Sequence, residues 1–310
     1  MALQVFKTNG DSLIVNNSQT ELQIAPQGNT YYVDANDGVD TRSGVSWNNA
    51  FLTMDKAFDT VASGDTIIFR GKIREQLTTP VQVFDVTVIG AGTRPRHADA
   101  EPAGSAYATN TWTTPASAAA ATPLVTVLQQ GWRFENILFA GPSDAACVQL
   151  FRNGGAGDAE RDASHASFYG CRFASGQDGI EGSGGPGHVG IFDCFFTSMT
   201  AVALKNTVGA GIGTPFLRWQ IVGNRFLSCP TLMTAAASTF VVFQNNVVSF
   251  ASAPTLVFDF TGGAQNDIIG NYFNIAAADF DPAGAVTGSG ATDVWSNTLT
   301  NAVETGLPAN

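Results

Sequence analysis

The sequence predicts an all-β solenoid, a right-handed parallel β-helix with one N-terminal capping helix. Three observations carry this. A pattern of eight residues returns seven times at coil-like spacing, one position of the pattern becomes a run of asparagines, and the composition suits strands and tight turns.

The composition bounds the class. Hydrophobic residues make up 44% of the 310 positions and only 13% are charged, so a sizeable core is expected rather than disorder. With 33 Gly and 22 Phe among many Val, Thr, Asn and Ser, strands and turns are favoured over helices. The net charge is −11 and the 15 Lys and Arg are scattered singly, which argues against a nucleic-acid partner. No run approaches the ~18 apolar residues of a membrane span. The opening MALQVFKTNGDSLIV has no basic stretch followed by an apolar one, so the expectation is a protein made in the cytoplasm without a membrane partner. Cys147, Cys171, Cys194 and Cys229 lack C-x-x-C spacing, so buried thiols are expected, with no metal and no cofactor.

The repeating segments are WRFENILF (132–139), ASFYGCRF (166–173), VGIFDCFF (189–196), WQIVGNRF (219–226), VVFQNNVV (241–248), NDIIGNYF (266–273) and TDVWSNTL (292–299). Taking Phe134, Phe168, Ile191, Ile221, Phe243, Ile268 and Val294 as position zero, each segment reads as a strand, a two-residue bend and a second strand. Position +2 holds Asn136, Gly170, Asp193, Gly223, Asn245, Gly270 and Ser296, mostly residues that tolerate a positive φ at a sharp bend. Position +3 ends in Asn224, Asn246, Asn271 and Asn297, which would stack ~4.8 Å apart with their amides bonded along the column. Position +5, with Phe139, Phe173, Phe196, Phe226, Val248, Phe273 and Leu299, is expected to stack in the interior.

In chain order, residues 1–28 read as an arm that orders against a neighbour. Residues 29–310 read as the solenoid, with a cap over 29–70, a long loop excursion at 94–123 and a shorter one at 153–165. Within the cap, Phe51, Met54, Phe58 and Val61 fall at helical spacing and predict a helix over roughly residues 47–62.

The stretch YYVDANDGVDTRSGVSWNNAFLTMDKAFDTVASGDTIIF (31–69) resembles the start of pectin-lyase-like β-helix proteins, with an Asp/Gly loop, SW-x-x-AF, an amphipathic helix and a GD-x-I strand. The resemblance extends over residues 31–300. It implies a helix plugging the open end of the solenoid. The wider style of the chain resembles bacteriophage members of that fold. The family includes polysaccharide lyases and glycosidases, but the N-T-D, D-D, G-H-G and R-I-K signatures do not occur in this sequence, where the nearest histidine context is Gly187-His188-Val189.

Candidate sites follow from the columns. Asp267 and Asp293, at position −1 of successive coils, are the weak catalytic candidates; stacked carboxyls ~5 Å apart would suit a retaining glycosidase. Asp158, Glu160 and Asp162 alternate in a Gly-rich loop, where ordinary solvation is expected rather than calcium. His165, His188 and Arg218 share position −3 as an exposed polar stack. Position +1 holds Glu135, Tyr169, Phe192, Val222, Gln244, Ile269 and Trp295. By strand alternation this column points outward, so Tyr169, Phe192, Val222, Ile269 and Trp295 are expected to be covered, either by a loop of the chain or by another subunit or the particle, the second being the reading adopted for the interface. The functional expectation is a non-catalytic structural protein of a virion, such as a capsid decoration. Its partners would be itself, in a homo-oligomer such as a trimer, and other virion proteins through the arm. The competing reading is a tailspike that binds or cleaves a host surface glycan.

Overall fold

The structure is a computed structural model that describes residues 28–92, 110–153, 161–207, 218–235, 239–250, 256–259, 265–274, 286–287 and 294–300. It is a parallel β-helix. Each coil carries three short strands, and every strand pairs in parallel with its counterparts on the coils before and after. Two of the three strands belong to one 16-stranded sheet that folds around the asparagine bend. The third belongs to a separate 8-stranded sheet.

The repeat register is the structural register. Phe134, Phe168, Ile191, Ile221, Phe243 and Ile268 pair one on the next, and so do Phe139, Phe173, Phe196, Phe226, Val248 and Phe273. All of these side chains are buried. Their rings stack along the axis, with centroids 5.3 Å apart for Phe134–Phe168, 4.6 Å for Phe173–Phe196 and 4.8 Å for Phe196–Phe226. Offset aromatic stacks of this kind add to the burial of apolar surface that holds neighbouring coils together. The column also extends upstream beyond the seven segments, through Ile67 and Val88.

The bend between the first two strands is fixed by backbone conformation. Asn136, Gly170, Asp193, Gly223, Asn245 and Gly270 all have φ between 51° and 71°. Behind them runs the asparagine ladder. Asn224 Nδ2 donates to Asn246 Oδ1 (3.1 Å), Asn246 Nδ2 to Asn271 Oδ1 (3.0 Å) and Asn271 Nδ2 to Asn297 Oδ1 (2.8 Å). Each amide also donates to the anchor carbonyl of the preceding coil, Ile191, Ile221 and Phe243. Where the column changes to cysteine, the thiols of Cys171 and Cys194 donate to the same kind of carbonyl, Phe134 and Phe168. Burial pushes the Cys194 thiol well above its ordinary pKa, with Cys171 adding to the effect.

Three expectations are corrected here. The helix expected over 47–62 shrinks to a 3-10 turn at Trp47–Asn49 and an α-helix at Met54–Phe58. Between them Phe51 forms a parallel bridge with Val33, and the Leu52 and Thr53 amides donate to Asp40, which leaves no helical bonds for that stretch. The apolar face itself is as expected, since Phe51, Met54, Phe58 and Val61 are buried and Phe58 packs on Trp112 and Trp132. The excursion expected at 94–123 is interrupted by a sheet strand, Asn110–Thr113, which pairs with Gly71–Arg74 and with Leu138–Ala140. Trp112 is the reason: it points inward and is fully buried among Phe58, Phe69 and Phe139. The last coil slips by one residue, so that Val294 pairs with Asp267 and Trp295 with Ile268, and the expected register returns only at Thr298 opposite Tyr272. Residues 1–27 of the arm, Asp158, Glu160 and Asp293 lie outside the described residues.

Candidate interaction surface

The outward column is a continuous ladder. Glu135, Tyr169, Phe192, Val222, Gln244 and Ile269 pair in register from coil to coil. Each is half-buried while the anchor beside it is buried. In-register stacking produces that intermediate exposure, because each side chain has both flanks covered by its neighbours and only its outer edge reaches solvent. The rings of Tyr169 and Phe192 stack at 4.9 Å, and the Arg133 guanidinium lies 4.0 Å from the Tyr169 centroid while pairing with Glu135. The slip in the last coil places Ser296, not Trp295, opposite Ile269, so Trp295 leaves this column.

Of the weak catalytic candidates, Asp267 pairs with Val294, and Asp293 lies outside the described residues. Asp162 accepts from Ser164 N and pairs with Arg152 at 3.6 Å, an ordinary loop-closing role. Among the described residues no group of three or more His, Cys, Asp or Glu is placed to hold a metal ion.

The position −3 stack forms as expected. His165 and His188 lie parallel with centroids 4.8 Å apart, and Arg218 continues the column over Phe240 at 5.7 Å. All four residues are exposed and all have φ near 60°. Burial lowers the His188 pKa below its ordinary value, and His165 and Arg218 lower it further.

One polar cluster has no signal in the repeat, because it sits on the third strand of the coil, outside the eight-residue pattern. Gln149, Glu181 and Lys205 pair in register on the 8-stranded sheet. Lys205 Nζ lies 2.7 Å from buried Asp178 and 3.9 Å from Glu181, and Thr207 Oγ1 donates to Glu181 (3.0 Å). Burial opposes the lysine's charge, but the Asp178 hydrogen bond and both carboxylates outweigh it and raise the pKa. Lys205 is therefore held as an ammonium. It can stabilise a negative charge but is a poor general base at neutral pH.

Comparison with known proteins agrees on the fold. The structure is similar to an alginate lyase from Paenibacillus sp. str. FPU-7 (TM-score 0.52, 11% identity, covering 88% of this chain and 96% of that one). It is also similar to the pectate lyase Pel9A (TM-score 0.51, 13% identity, covering 89% and 78%). A protein of Geobacillus virus E2, ORF18, matches at a TM-score of 0.42 and 12% identity over 87% of this chain and 60% of its own, too far in shape to bear on function. No protein-family model and no curated protein matches the sequence. The chain thus has the parallel β-helix architecture of these lyases, and at such identities the likeness speaks for the fold alone. Among the described residues no helix is long and apolar enough to cross a membrane.

Proposed function

We propose that this chain is a non-catalytic structural component of a virion surface, a β-helical rod that docks side-on against another protein chain. The observation that carries the reading is the outward ladder Tyr169–Phe192–Val222–Gln244–Ile269, an in-register, largely apolar stripe on the outer face of the solenoid. Such a stripe gains from being covered at ~25 cal/mol per Å² of apolar surface, before the cost of association. A second copy of the chain is the partner it suits best, in a homo-oligomer such as a trimer, with the arm reaching other virion proteins.

The test is the double substitution Phe192→Asp with Ile269→Asp. Neither side chain fills the interior, so the β-sheet circular dichroism should persist while oligomerisation or particle attachment is lost in sedimentation. A folded variant with unchanged mass and unchanged particle binding overturns the docking role. Mass spectrometry of purified particles reads copy number, and a high copy number supports a decoration.

The Asp178–Lys205–Glu181 cluster favours the second reading, a tailspike acting on a host surface glycan, because it sets a fixed, partly exposed ammonium between buried Asp178 and partly exposed Glu181. Shortening of host polysaccharide by the purified protein, abolished in Lys205→Met, would replace the structural reading with this one.

A further inference from the structure

The buried asparagines Asn224, Asn246 and Asn271 each find an amide partner on the next coil, and Asn206 does not. Asn206 lies on the strand Val202–Thr207 of the 8-stranded sheet and is 8% exposed. Neither its Nδ2 nor its Oδ1 has a hydrogen-bond partner among the described residues. Strand alternation turns it inward: Lys205 reaches the outer face, while Leu204 and Asn206 on its two sides are both buried.

The register explains why the ladder's solution is closed to this residue. Asn206 pairs with Gly182 on the coil before. On the coil after, Thr234 pairs with Lys205, which sets Ala235 beside Asn206. An amide can stack only on another amide, and these neighbours bring no side chain and a methyl group. The backbone groups around it are engaged in the parallel pairing of the sheet, although each carbonyl keeps a second lone pair. A buried donor and acceptor left bare would forfeit their full hydration, which native interiors avoid.

The amide itself sets the chemistry of its partner. Nδ2 needs an acceptor and Oδ1 needs a donor. A cation would serve only Oδ1 and an anion only Nδ2, whereas water serves both. Its remaining hydrogen bonds can go to the spare lone pairs of the sheet carbonyls. We propose that ordered water is bound inside the solenoid at Asn206, accepting from Nδ2, donating to Oδ1 and lying on the side of Gly182, where the column has no side chain. This site is independent of the virion reading and of the outward ladder.

The test uses the full chain. Deuteron magnetic relaxation dispersion reads water held inside a protein for longer than its tumbling time. Asn206→Leu, similar in volume but without polar side-chain atoms, should keep the β-sheet circular dichroism and lower the dispersion amplitude below that of the wild-type chain. An unchanged amplitude in the folded variant overturns the proposal. Should the variant not fold, the wild-type chain answers alone. The Asn206 Nδ2 protons should show cross-relaxation at the water frequency, while those of Asn246, bonded to Ile221 O and Asn271 Oδ1, should not. Asn206 protons as silent as those of Asn246 overturn the proposal.

Discussion

Two bends of the same coil impose the same backbone demand and are filled in opposite ways. At the asparagine bend, φ near 60° falls on Asn136, Gly170, Asp193, Gly223, Asn245 and Gly270, residues for which that region carries little strain. At the other bend it falls on His165, His188, Arg218, Phe240 and Gln265. Of that second set, arginine, phenylalanine and glutamine have no local means of easing a left-handed conformation. The difference lies in what stands behind each bend. The first backs onto the buried ladder of Asn224, Asn246 and Asn271, where backbone placement must be good to a fraction of an ångström for the amides to bond. The second backs mostly onto buried apolar side chains, Ala166, Val189, Trp219 and Val241, with one buried asparagine, Asn266, whose Oδ1 accepts from Val241 N (3.1 Å). Strain is avoided where a stack of successive amides depends on geometry and tolerated where the column behind the bend is mostly apolar.

The largest expected effect probes the buried column. Asn246→Ala removes the acceptor for Asn224 N and Nδ2 and the donor to Ile221 O and Asn271 Oδ1, leaving buried groups unpaired on both sides. The expected loss is about 1–3 kcal/mol in denaturant unfolding. The same change at exposed Asn48 should be near neutral. Equal effects at the two positions would mean the column is a packing feature and not a hydrogen-bonded ladder.

A reciprocal swap sharpens the comparison at smaller scale. Arg218→Asn places a residue that tolerates positive φ at a strained position and should raise stability by up to about 1 kcal/mol, while Asn245→Arg should lower it by a similar amount. Both positions are exposed, so little packing changes. If the two substitutions shift the unfolding midpoint in the same direction, backbone strain is not what separates the bends.

The first bend is legible in the sequence, and the second only in part. Gly, Asn and Asp at one position announce positive φ, and repeated Asn beside them announces a ladder, so the residues alone give the coil register. His165, His188 and Arg218 align as a column, but nothing in His, Arg or Phe signals a left-handed bend. The break in the capping helix is hidden for a related reason. The apolar spacing of Phe51, Met54, Phe58 and Val61 fits a helix equally well whether or not Phe51 pairs with Val33, and that pairing is a long-range choice. The outward ladder follows from alternation, which is local. Its last member is misplaced by that rule because the slip at Trp295 follows from the pairing with Asp267 and Ile268, not from the segment itself. The Lys205 cluster lies on strands that carry no repeated residue type, so no column points to it.

The smallest expected effect concerns the charge state of the exposed bend. His188 is stacked on His165 and followed by Arg218, and burial together with these two neighbours depresses its pKa in the folded protein. A histidine with a depressed folded pKa binds fewer protons folded than unfolded. Its contribution to stability is therefore intact above the unfolded value of ~6.5 and falls as the pH drops from there toward the folded pKa. Thermal unfolding measured from pH 7.5 down to pH 5 should show this as a shallow loss of stability in the wild-type chain, and His188→Asn should flatten part of the slope. The carboxylates give a separate reference: Asp34, whose pKa burial raises but which Arg70 and the amides of Asn36 and Asp37 bring below the ordinary value, loses its contribution only in a lower window, beneath ~3.9. A His188→Asn variant with the same slope as wild type between pH 7.5 and 5 would show that the histidine stack is open enough for water to screen it, and that the two bends differ in backbone strain but not in electrostatics.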